Sequence, residues 1–101
     1  MWIGAGRLVL DFYNNTELKL KRRQLDTLCK ELKKKFNISV LEVADEEDTE
    51  RCVIGFAVVM AENWSEPSAR SFVEKVCKTI DEISPARVHV EDWDLYVHGE
   101  A

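Results

Sequence analysis

A two-layer α+β sandwich is the fold class this sequence predicts, and three observations carry the prediction. Four stretches read as strands, by period-two alternation or by a short continuous apolar run. Two others repeat their apolar residues at spacings of three and four, as one face of a helix does. They follow one another as strand, helix, strand, strand, helix, strand, the split βαβ pattern. At 101 residues and 46% hydrophobic content, the chain is expected to make one domain over 1–101. Such a domain buries roughly 65% of its unfolded surface.

The first strand, residues 2–13, places Trp2, Leu8, Leu10 and Phe12 on one face, a good core face. Asn14-Asn15-Thr16 is turn chemistry, with Asn15 or Thr16 expected to cap a helix that starts near Glu17. That helix carries Leu18, Leu25, Leu28, Cys29, Leu32 and Phe36 within an arc of about 100°, a normal core-facing stripe. Residues 37–44 form the second strand, and the acidic run 45–50 a solvated hairpin tip. Residues 51–61 form the most apolar strand, expected in mid-sheet. Ser65 caps the second helix, with Pro67 in the first turn, where a missing N–H costs nothing. Ala69, Phe72, Val73, Val76, Ile80 and Ile83 line its buried side, and Ser84-Pro85 ends it. Residues 87–98 close the chain as a strand, and Gly99-Glu100-Ala101 is expected to fray.

Right-handed crossovers put both helices on one face of a four-stranded antiparallel sheet, with the first and third strands central. The expected architecture is a ferredoxin-like βαββαβ sandwich. No element remains to cover the other sheet face, where Ile3, Val9, Val53, Ala57 and Val59 fall. A flat aliphatic surface of that size does not stay wet. Those five residues are therefore the expected interface of a homodimer. Single-stranded RNA readers of this architecture carry aromatic rings on the two central strands. The third strand here offers small aliphatics instead, which excludes that mode of base stacking.

Charge is distributed unevenly. The chain carries −5 overall, yet residues 19–35 hold eight cations against Asp26 and Glu31. At about 100° per residue, Lys19, Arg22, Arg23, Lys30, Lys33 and Lys34 share one flank about 120° wide, interrupted by Asp26. Like charges at i,i+4 cost a few tenths of a kcal/mol each. The helix dipole compensates for Lys33 to Lys35 but not for Lys19 to Arg23. A concentrated positive patch of this kind is the electrostatic footprint of nucleic-acid binding. Lys21 falls on the other side of the helix, where it is expected to pair with acids of the sheet edge.

Catalytic chemistry is not legible. His89 and His98 have opposite parity on the last strand, so they do not form a pair. Cys29, Cys52 and Cys77 are odd in number and widely spaced, which fits buried apolar thiols in a reducing compartment rather than a disulfide framework. No metal-ligand spacing occurs, and the acidic tip lacks the glycine and alternating ligands of a calcium loop. Gly4-Ala5-Gly6 lies inside a strand with no helix after it, so it is expected to permit close packing rather than to cradle phosphate. No catalytic residue, cofactor, metal or membrane segment is expected, and the expected compartment is the cytoplasm.

Three stretches carry a resemblance: LKLKRR (18–23), KKFNISVLEV (34–43) and RCVIGFAVV (51–59). They resemble the YlxP-like family, small bacterial proteins catalogued as a domain of unknown function. The matching positions are Leu18, Lys19, Lys21 and Arg22, then Phe36, Asn37, Ser39, Val40, Glu42 and Val43, then Gly55. The match is good over residues 7 to 60. The family's serine before Leu-Lys is Glu17 here, and the aromatic usual before the third strand is missing around Thr49. The resemblance implies a ferredoxin-like fold, no established activity and, from the translation genes that neighbour such proteins' genes, a ribosome-linked role.

The sequence therefore points to a non-catalytic binding protein that docks on structured (ribosomal) RNA through Lys19, Arg22, Arg23, Lys30, Lys33 and Lys34. The alternative is a homodimeric interaction module whose basic helix meets an acidic protein. A small-molecule binder is disfavoured, because no convergent polar pocket is readable.

Overall fold

The structure, a computed structural model, describes residues 1–99. Six elements follow one another: β1 (Trp2–Asp11), α1 (Leu18–Lys35), β2 (Ser39–Ala44), β3 (Arg51–Met60), α2 (Glu66–Ile83) and β4 (Arg87–Val97). Glu100 and Ala101, expected to fray, lie outside the described residues. The strands form one antiparallel sheet in the order β2-β3-β1-β4, so β1 and β3 are central. This is the ferredoxin-like sandwich that the element order predicts.

Alternation decides the faces. Leu8 and Leu10 of β1, Phe12 just after it, and Ile54, Phe56 and Val58 of β3 are buried against the helices. Leu25, Leu28 and Leu32 come down from α1, and Val73, Val76 and Ile80 from α2. The glycines of β1 serve close packing. A Cβ on Gly4 would stand 2.5 Å from Val73 Cγ2 of α2, and one on Gly6 would stand 2.2 Å from the Phe56 ring. Trp93 and Leu95 of β4 pack on the helix side, which turns Tyr96 to the open face.

Both edge strands are bulged. Val9 pairs with Val90 but Leu10 pairs with Val88, so His89 is the extra residue on β4. Glu42 pairs with Ile54 but Ala44 pairs with Val53, so Val43 is the extra residue on β2. A bulge bends its strand and increases the local twist. The two bulges border the same row, Val9 beside Val53. These valines keep only 6% and 0% of their surface.

The helix starts differ. Ser65 caps α2 as expected, accepting a hydrogen bond from the Ser68 N–H, with Pro67 in the first turn. α1 has no side-chain cap. Asn15 turns its amide away and donates to the carbonyls of Glu17 and Thr49, tying the helix entry to the β2–β3 hairpin. Asn14 and Asp45 take left-handed backbone, φ 59° and 62°, a conformation Asn and Asp tolerate better than other non-glycine residues. Among the described residues no helix is long and apolar enough to cross a membrane.

Candidate functional site

The cations of α1 lie where helical geometry places them. Leu25, Leu28 and Leu32 point into the core, so the opposite side of the helix carries Lys19, Arg23, Lys30 and Lys34 outward. Arg22 and Lys33 lie toward the β2 edge. All six are exposed. Three have carboxylate partners in their own chain: Arg22 Nη2 lies 3.3 Å from Glu47 Oε1, Lys30 Nζ 2.9 Å from Asp26 Oδ2, and Lys34 Nζ 3.6 Å from Glu31 Oε1. Among the described residues Lys19, Arg23 and Lys33 have no carboxylate within 4 Å. The six-cation stripe is therefore half paired, though exposed pairs of this kind are worth only about 0–1 kcal/mol and exchange readily for another anion.

Lys21 does something else. It is fully buried, 0% exposed, in the middle of the apolar stripe. Its ammonium donates to the carbonyls of Asp45 at 2.8 Å and Arg51 at 2.9 Å and to that of Asp48. The carbonyl of Glu46 stands at 3.5 Å and Glu42 Oε2 at 3.2 Å. Glu42 sits on β2, the sheet edge where the sequence predicts an acid for Lys21. The acidic hairpin 45–50 keeps its acidic side chains in solvent, as the sequence predicts, and in addition its backbone wraps the Lys21 ammonium. Asp48 Oδ1 closes the turn by accepting from the N–H groups of Glu50 and Arg51. Those bonds, from Arg51 first and Glu50 second, hold its carboxyl below the ordinary carboxylate range. Docking the hairpin brings Glu47 beside Arg22, which explains why one predicted free cation is paired.

The open face is less uniform than its alternation suggests. Val9 and Val53 are sealed by their own chain, so they are withdrawn from any contact surface. Ile3 is half-buried, and Ala57 and Val59 are exposed. Three exposed large side chains join them there: Leu41, Val43 and Tyr96. Val43 shares the parity of Leu41 and lies against Gly55.

Between α1 and the end of α2 lies a groove of about 360 Å³, floored by Leu28, Ile83 and Pro85 and flanked by Arg23 and Lys35. At the β1–β4 bulge, His89 Nε2 lies 3.1 Å from Tyr13 Oη and 3.3 Å from Asp11 Oδ2. Both groups approach the same ring nitrogen at the protein surface. Cys52 and Cys77 are buried and Cys29 half-buried, all three unpaired. Burial pushes all three thiols up, Cys77 to about 12 with Glu91 adding to the effect, and Cys52 further with help from Glu42. Among the described residues no group of three His, Cys, Asp or Glu could hold a metal.

Fold and surface together define a small ferredoxin-like α+β protein with a clasped hairpin and a basic helix. The chain belongs to DUF503, a family of proteins of unknown function whose sequence model matches residues 3–92. No curated protein matches. Among solved structures the chain is similar to a proposed antibiotic biosynthesis monooxygenase from Deinococcus radiodurans. The two share 15% identity and a TM-score of 0.43, over 100% of this chain and 95% of that one. It is also similar to the de novo designed protein Ferredog-Diesel at 13% identity and TM-score 0.36, over 94% and 84% of the two chains.

Proposed function

We propose that this protein is a non-catalytic module that docks on structured RNA through the outward flank of α1. The observation that carries the reading is the trio Lys19, Arg23 and Lys33, exposed and without carboxylate partners among the described residues. Lys30, Lys34 and Arg22 extend it through exposed, exchangeable pairs. The YlxP-like resemblance, with its ribosome-linked gene neighbourhood, supports RNA as the polyanion. Three to six phosphate contacts give a salt slope of roughly −2 to −5 and a modest affinity at physiological salt.

Cosedimentation with ribosomal subunits at low and moderate salt tests this. The wild type is expected to pellet at low salt and to release as salt rises. The variant Lys19→Glu/Arg23→Glu/Lys33→Glu is expected to stay in the supernatant with its melting temperature unchanged. Equal pelleting of both proteins ends the RNA reading. The groove floored by Leu28, Ile83 and Pro85 between Arg23 and Lys35 favours one competitor, an acidic protein segment with an apolar anchor. Nuclease treatment before sedimentation separates the two, since a protein partner survives it.

A further inference from the structure

The open sheet face carries large apolar side chains that no element of the chain covers. Of the seven large apolar side chains left exposed among the described residues, four lie on it: Leu41 at 55%, Val43 at 49%, Val59 at 65% and Tyr96 at 51%. Ile3 lies between Val59 and Tyr96, paired with both across the sheet. The helices cannot serve these residues, because they occupy the other face. Scattered exposed apolar residues need no explanation, but a contiguous set on one face marks an interaction surface.

Charge tells which partner fits. Arg7 stands exposed near the middle of the face, and among the described residues it has no carboxylate within 4 Å. Asp92 is its cross-strand neighbour on β4, and Asp94 lies one step along, opposite Ala5. β3 contributes no charge to this face between Arg51 and its end, only Val53, Gly55, Ala57 and Val59. The face thus divides into an apolar half on β2 and β3 and a mixed half carrying one unpaired cation and two carboxylates on β1 and β4. A two-fold contact requires a patch that complements itself. This one does, since apolar half meets apolar half while each cation meets the other copy's carboxylates. Ala5 and Ala57 flank Arg7 with small residues on the same face, leaving room for a long side chain from the opposite sheet.

We propose that two copies of this chain associate open face to open face about a two-fold axis, with Arg7 of each paired to Asp92 and Asp94 of the other. The contact leaves α1 outside, so it stands or falls independently of RNA docking.

Sedimentation velocity of the full chain from about 1 to 100 μM tests it. Wild type is expected to sediment at twice 11.7 kDa in the upper part of that range. Val59→Asp and Arg7→Glu each change a side chain already in water, so folding is preserved, and each is expected to raise the dimer dissociation constant at least tenfold. Mixing Arg7→Glu with Asp92→Arg/Asp94→Arg is expected to restore the dimer as a heterodimer, while each variant alone stays monomeric. Monomeric wild type at 100 μM overturns the dimer. Unchanged association of Val59→Asp overturns this face as the contact, and failure of the mixed variants to pair overturns the Arg7 register.

Discussion

At the scale of single residues, the most consequential side chain is Lys21. A buried ammonium is tolerable only when its protons and charge are matched, and here backbone carbonyls and Glu42 match them. Removing one member of such a pair typically costs about 3–5 kcal/mol, because the other is left buried and uncompensated. Lys21→Met is therefore expected to lose about 3 kcal/mol in chemical denaturation, and Lys21→Met/Glu42→Gln to recover part of the loss. A signal for this was present in the sequence. Around the helix Lys21 falls between Leu28 and Leu32, inside the apolar stripe. Its cage of carbonyls was not legible, because the partners are main-chain atoms of a hairpin distant along the chain. Several positions that carry the family resemblance now have folding roles: Lys21 and Glu42 hold each other, Val40 lies in the core, and Gly55 lies beneath Val43.

At the scale of elements, the strands were readable because period two leaves little choice. Burying Leu8 and Leu10 fixes which face of β1 meets the helices, and the same logic orients β3. The bulges were not readable, since one extra residue in an edge strand costs little and leaves no compositional mark. Alternation puts Val9 and Val53 on the open face, but both lie in the row beside the bulges and are buried within their own chain. The cap of α1 failed for a related reason: Asn15 has two partners that only the folded hairpin supplies. Packing of β1 against β3 gives the prediction at this scale. Phe56 is almost fully buried, so its ring has little freedom to leave the space over Gly6. Gly6→Ala is expected to destabilise the protein by about 1–3 kcal/mol, the usual cost of overpacking, seen as a lower denaturation midpoint with an unchanged slope.

At the scale of the whole molecule, the buried thiols link stability to pH. A thiol whose folded pKa is raised contributes stability that is fully present below its unfolded value near 9. That contribution is lost as pH rises from there toward the folded value, about 12 for Cys77. Stability is thus expected to hold from neutrality to about pH 9 and to fall above it. Replacing Cys77 with Ala should flatten the alkaline decline, which thermal melts across pH 7 to 11 would record. A decline unchanged by the replacement would assign it to other groups. The chain's net charge gave no hint of this, because the effect depends on burial.

Seven of the eight lysines in this chain stand outside the core and one does not. An acylating reagent should therefore modify the folded protein quickly everywhere except at Lys21, whose amine becomes reachable only when the hairpin lifts away. Mass spectrometry of that one peptide would then time the opening of the native state, making a residue of the wild-type protein its own stopwatch.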